Sequence, residues 1–326
     1  MKKKYLIILF VTILILIFIS MFFIKNKSKK GSNLNTIKVA EVTHSAFYTP
    51  FYVAIEKGFF KEEGIDIDLI LTSGANNVVA AVLSDDVQIG FCGPEATIYV
   101  YKEGQKDFVQ SFAGLTKRDG QFIVSRKKID NFTLNNLKEK EVLAGRSGGM
   151  PIINFYNALK NEKITNVNVN DTVDFANLTS SFISGAGDFV NLFEPNATKL
   201  EKLGYGYVVA SIGKYSGEVP YTAFNAKKSY IENNPDLIKR FRHAINKGLQ
   251  YTNDNNSKDL ASTIINLFPD TSINDLETII ERYKSADSWL INSFISEKLF
   301  TNLEDMLIDN NLIDSYMSYQ DLIINE

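Results

Sequence analysis

Phe47–Gly64, FYTPFYVAIEKGFFKEEG, runs directly into Ile65–Leu71, IDIDLIL, and this stretch sets the fold class. Pro50 suits the first turn of a helix, where its missing N–H is one of the donors left over anyway. Phe51, Ala54, Ile55 and Phe59 then recur on one helical face. Gly64 ends the helix, because glycine accepts the left-handed backbone found there. Ile65–Leu71 alternates apolar and polar residues with the period of a strand. A β-rich run, Thr36–Val42, precedes the helix, so the opening unit reads strand–helix–strand and points to a parallel α/β sheet.

The same alternation extends outward. Ser73-Gly74-Ala75-Asn76 is a turn before a VVAAVLS helix. Val87–Phe91 is a strand, Pro94 opens a helix closed by Gly104, and Phe108–Leu115 is a further strand. A second set follows: strands at Gln121–Ser125, Glu141–Ala144, Val167–Val169, Asp188–Phe193 and Gly206–Ile212. Helices are expected at Thr133–Lys140, after Pro151, at Leu178–Ile183 and after Pro195. From Pro235 onward the chain reads as helices only. Two α/β sets and a helical tail predict two lobes with mixed, mostly parallel sheets: residues 36–118 with 222–326, and residues 119–221. The crossings fall near Thr116–Gln121 and Gly217–Ala226. Strand C-terminal ends and helix N-termini would then face a shared cleft, the usual ligand position in open α/β sheets.

The N-terminus predicts a membrane address. Tyr5–Ile24 carries no charge and as a helix would rise roughly 30 Å, the thickness of the bilayer hydrocarbon. It is long for a cleaved signal, and no small-residue cleavage site or lipid-accepting cysteine follows it. Residues 1–4 read as a cytoplasmic tip, 5–24 as a transmembrane signal anchor and 25–35 as a flexible stalk. A cleaved signal peptide is the alternative. The first thirty residues hold seven lysines and no acid, so a net charge of −3 for the chain leaves −10 on the body. That sign excludes a nucleic-acid surface. Cys92 is the one cysteine, so the fold relies on its core and not on a disulfide.

Four segments together resemble the type II periplasmic-binding-protein-like receptors of ABC importers, in the nitrate, sulfonate and thiamine-precursor (SsuA/Thi5-like) branch. They are Phe47–Gly64 with its strand, Val87–Glu95 (VQIGFCGPE), Ser184–Pro195 (SGAGDFVNLFEP) and Tyr230–Gly248 (YIENNPDLIKRFRHAINKG). The resemblance implies a monomeric extracytoplasmic receptor, which the uncharged run at Tyr5–Ile24 would anchor by a single pass. It would trap a small metabolite, without catalysis, and deliver it to permease and ATPase subunits. No cofactor or metal is implied.

Candidate ligand contacts sit where strands give way to helices, with backbone N–H groups and the positive helix end available. His44, Phe47 and Tyr48 offer flat or polar faces to a heteroaromatic ligand. Ser73, Gly74, Pro94 and Glu95 end strands of the first set. Arg146, Ser147, Gly148 and Gly149 form a glycine-rich turn suited to an anion or carbonyl. Glu194 ends a strand of the second set, and Tyr221 lies at the second crossing. Glu95 and Glu194 either complement helix dipoles or accept hydrogen bonds from a ligand amine. The carboxylates and aromatics lean toward thiamine or its pyrimidine precursor. The glycine-rich turn keeps sulfonate or nitrate in view.

Rival chemistries are thinner. Gly145–Gly149 matches the G-x-S-x-G nucleophile elbow, with Ser147 as nucleophile. Its only downstream histidine, His243, lies within a helical FRHAINKG run. Two histidines and one cysteine far apart make no zinc site, and no phosphate-binding glycine fingerprint occurs. A sensory module on the same fold is the remaining alternative.

Overall fold

The computed structural model describes residues 34–145 and 147–325. The expected anchor and nearly all of the stalk lie outside the described residues, as does Arg146. No helix among the described residues is long and apolar enough to cross a membrane. Thr36–Glu326 forms one compact unit.

Among the described residues, ten strands make two five-stranded sheets. They are β1 (Asn35–Glu41), β2 (Ile65–Leu71), β3 (Ile89–Cys92), β4 (Val109–Thr116), β5 (Phe122–Ser125), β6 (Glu141–Leu143), β7 (Asn168–Asn170), β8 (Phe189–Leu192), β9 (Tyr207–Ser211) and β10 (Thr222–Lys227). The first sheet has the order β2-β1-β3-β10-β4 and the second β7-β6-β8-β5-β9. The chain changes sheets between β4 and β5 and returns between β9 and β10.

The sheets are more evenly mixed than the expected mostly parallel arrangement. β1 with β3, β6 with β7 and β6 with β8 are parallel. β10 runs antiparallel to β3 and β4, and β5 antiparallel to β8 and β9. The reversal belongs to the crossings: β5 and β10 are the first strands after them and run against their neighbours.

Two other expectations shift. The first helix breaks at Gly58 (φ 75°) into Thr49–Glu56 and Phe59–Glu62. The run after Pro235 is not purely helical. Residues 288–293 lie along β4, where Leu290 N–H donates to Leu115 O (3.0 Å) and Gly114 N–H to Ser293 O (2.8 Å). That pairing covers a sheet edge that would otherwise expose unpaired backbone groups.

Phe51, Phe60, Phe91, Phe224 and Phe241 interlock in the first half, with Phe91 and Phe224 stacked at 4.3 Å. Burying each such ring stabilises by roughly 1.5–3 kcal/mol. Helix Pro235–Asp254 returns to this half because Gly248 lets its backbone touch Pro50: an added Cβ would collide with the Pro50 carbonyl. The second half buries Val142, Leu143, Phe155, Phe182 and Phe189.

Candidate ligand-binding site

β3 (IGFC) is wholly buried and ends in Gly93-Pro94 before helix Glu95–Lys102. A Cβ at Gly93 would collide with the Glu95 carboxyl and come within 2.9 Å of Met150, which opens a helix of the second half. Glycine therefore lets Glu95 fold over its own turn, at the seam between the halves. Glu95 is 3% exposed, and its Oε2 has no hydrogen-bond partner among the described residues. Burial pushes its carboxyl up to about 7, against the pull of the Glu95 and Ala96 backbone N–H groups.

A second buried carboxyl lies on the crossing from β4 to β5. Asp119 is fully buried. Its Oδ1 accepts from Gln121 N–H at 2.6 Å, and its Oδ2 has no partner. Burial pushes it up to about 8. Tyr221, on the returning crossing, donates its backbone N–H to Thr116 O (3.1 Å), so the two crossings are paired. Its hydroxyl lies beside Asp119 and feels Tyr48 and Glu95 as well, yet completes no well-formed hydrogen bond.

The second half adds carboxamides. Asn191, on β8, leaves both amide atoms unpartnered, while Gln121 Nε2 reaches its backbone carbonyl at 3.4 Å. Asn154 donates to Met150 O (3.0 Å) and leaves Oδ1 without a partner. Buried polar groups are normally satisfied, so the unpartnered atoms of Glu95, Asp119, Asn154 and Asn191 make this region the candidate ligand site.

Aromatic rings close the seam. Phe47 packs against Tyr48 (5.6 Å), Phe193 (5.7 Å), Tyr221 (5.6 Å) and Tyr283 (5.2 Å). A Cβ at Gly120 would lie 2.6 Å from the Phe47 ring. Trp289 Nε1–H donates to Phe47 O (2.7 Å). Burial pushes the Tyr48 hydroxyl far above the usual phenol range.

Of the residues expected from the sequence, Phe47, Tyr48, Pro94, Glu95 and Tyr221 therefore meet at the seam. Ser73 is exposed, and Gly74 (φ 89°) caps helix Ala75–Leu83; no contact ties either to the cluster. Ser147 and Gly148 are exposed, and Gly149 precedes helix Met150–Asn161. Ser147 Oγ donates to Asp171 Oδ2 (2.6 Å), not to a histidine. His243 sits against Glu63 (2.7 Å), which leaves the elbow without a base. His44 places Nδ1 on Glu41 (3.0 Å) and Nε2 on Leu267 O (2.8 Å), with its ring stacked on Phe268.

Glu194 is the clearest departure. Its Oε2 accepts from Thr198 N–H (2.8 Å), and its Oε1 from Thr198 Oγ1–H (2.9 Å) and Arg282 (2.8 Å). Ser45 Oγ–H donates to its carbonyl (2.7 Å), and its N–H donates to Tyr283 OH (3.1 Å). Both carboxylate oxygens are engaged in clasping the halves together and not held out to a ligand.

Asp119, Asn154 and Asn191 were not among the residues expected from sequence. Asp119 lies in Lys117-Arg118-Asp119-Gly120-Gln121, where Asp-Gly reads as turn punctuation; its one signal was the placement at a predicted crossing. An open groove of about 630 Å³ lies elsewhere, between β9 and helix Ile273–Ser285. Neither Glu95, Asp119 nor Tyr221 lines it.

Residues 45–258 match the description "NMT1/THI5 like". The chain belongs to the NMT1/THI5-like family. It is 41% identical over 301 residues to the "Putative binding protein YtlA" of Bacillus subtilis (strain 168), covering 91% of this chain and 90% of that one. Its fold is similar to that of the alkanesulfonate-binding protein SsuA from Xanthomonas axonopodis pv. citri bound to MOPS (TM-score 0.68, 12% identity, 89% of this chain and 98% of that one). The periplasmic aliphatic sulphonate binding protein SsuA from Escherichia coli is as similar (TM-score 0.68, 12% identity, 88% and 96%). The relative and both structural neighbours are described as binding proteins, and none as an enzyme.

Proposed function

We propose that the chain captures a nitrogen-bearing solute between residues 36–118 with 222–326 and residues 119–221, then delivers it to permease and ATPase subunits. In this reading the protein acts as a monomer outside the cell membrane, held by Tyr5–Ile24 as a single-pass anchor with residues 25–35 as its stalk. The uncharged run at Tyr5–Ile24 and the family's usual compartment support that address.

One observation carries the ligand class: two buried carboxyls, Glu95 and Asp119, share a seam with no ion pair to either among the described residues. A ligand with N–H donors satisfies them. Sulfonate or nitrate brings only acceptor oxygens, so it can use no more than the one O–H of each protonated carboxyl and is repelled by either once ionised. Thiamine or its pyrimidine precursor therefore fits better. Phe47, Tyr48 and Tyr221 supply rings to stack on it, and parting of the halves about the crossings admits it.

Sulfonate or nitrate is the second reading, favoured by the helix that opens after Gly149 with no side-chain cap. A thermal-shift screen separates the two. Thiamine or an aminopyrimidine at a hundred times its dissociation constant should stabilise by about 2.7 kcal/mol. A shift with sulfonate or nitrate alone would reverse the assignment.

A further inference from the structure

The two seam carboxyls are not equivalent. Glu95 belongs to one half, whereas Asp119 lies on the segment that joins them. Asp119 Oδ1 is fixed by Gln121 N–H, and Gln121 in turn contacts Asn191 of the second sheet. The backbone around Asp119 is packed too tightly to move independently, since a Cβ at Gly213 would collide with the Asp119 carbonyl. Only Oδ2 lacks a well-formed bond. Beside it stands the Tyr221 hydroxyl on the returning crossing, also without a well-formed bond.

We infer that Asp119 is the specificity-determining carboxyl of the crevice: its Oδ2, with the Tyr221 hydroxyl, pairs a positively charged nitrogen of the ligand. This rests on the proposed solute site and narrows its ligand from nitrogen-bearing to cationic. It also puts recognition on the crossing itself, so that filling the site is felt where the halves hinge.

The charged and titratable groups around Asp119 support the assignment. Lys117 pairs with Asp287 (2.8 Å) and Glu218 (3.7 Å). Arg118 turns its guanidinium to Glu218 (2.8 Å) and Asp287 (3.5 Å). Tyr221, Tyr48 and Glu95 face inward and bring no positive charge. No cation of the described residues forms an ion pair with Asp119. With its carboxyl pushed up to about 8 by burial, Asp119 is protonated at neutral pH in the empty protein. A cation arriving beside it favours the ionised form. The O–H bond breaks, the electron pair stays on the carboxylate, and the proton leaves to solvent.

The test is titration calorimetry of the full chain with thiamine, a fixed cation, at pH 7 in buffers of different ionisation enthalpy. Binding should release close to one proton per ligand. Asp119→Asn should lower affinity more than tenfold and remove most of the release, leaving only the fraction that Glu95, at about 7, gives up. Tyr221→Phe should lower affinity while keeping the release. Should Asp119→Asn fail to fold, the wild-type chain decides: release must fade as pH rises through about 8. Thiamine binding without proton release, or release that is undiminished in Asp119→Asn, overturns this inference alone. Failure to bind thiamine while binding neutral 4-aminopyrimidine also overturns it and leaves the nitrogen-bearing site standing. Failure to bind either probe overturns the proposed site and this inference with it.

Discussion

Glu95 and Glu194 occupy matching places in the two halves. Each follows a buried strand, each adjoins a proline, and each precedes or opens a helix. Both are almost wholly buried, at 3% and 1% exposure. Glu194 is satisfied by Thr198 and Arg282, whereas Glu95 leaves Oε2 without a partner. The same local pattern thus yields a clasp in one half and a buried carboxyl without a cation in the other. What separates them is a residue far along the chain, Arg282, that reaches only one. A buried carboxylate with its cation is a structural commitment. A buried carboxyl without one is chemically available, and burial disfavours its ionised form.

Substitution at the clasp should give the largest effect. Arg282→Met leaves Glu194 buried without its cation, and removing one partner of such a pair costs about 3–5 kcal/mol. Urea unfolding of the variant measures it. A loss under about 1 kcal/mol would mean that Glu194 is no more committed than Glu95. On the other side, Glu95→Gln should weaken binding of the amine-bearing ligand more than tenfold while stability holds or rises. Unchanged affinity in titration calorimetry would remove Glu95 from the site.

The contrast also predicts a pH dependence. Glu95 and Asp119 titrate at about 7 and about 8 in the folded chain, above the usual carboxyl values. The folded state therefore binds more protons than the unfolded one across that interval. The stability these two carboxyls contribute to the ligand-free chain should be fullest below about pH 4 and fall as pH rises toward 8. His44, raised by its bond to Glu41, adds to the same trend, because its contribution is also lost as pH rises. Melting temperatures across this range should flatten in Glu95→Gln and Asp119→Asn but not in Arg282→Met. Smallest of all, Ser147→Ala should change affinity less than twofold, since its hydroxyl is exposed and already bonded to Asp171.

The alternation from Thr36 to Ile212 made the two α/β sets and their crossings readable, because strand and helix periods are local properties. Strand direction was less accessible: the antiparallel entry of β5 and β10 depends on how the chain crosses between sheets. In the candidate site, strand-end placement singled out Phe47, Tyr48 and Glu95, and all three are buried. Glu194 carried the same signal, yet its role is set by Arg282, 88 positions away. Asp119 was hidden for the opposite reason. Asp-Gly reads as an exposed turn, and only packing against Gln121, Gly213 and Tyr221 buries it.

The most direct measurement is a crystal structure of the chain with its thermal-shift ligand bound. The account predicts density in the seam within hydrogen-bond distance of Glu95 and Asp119, with the Glu194–Arg282 pair intact. Density in the groove beside β9, or on the exposed turns at Ser73 and Ser147, would contradict it.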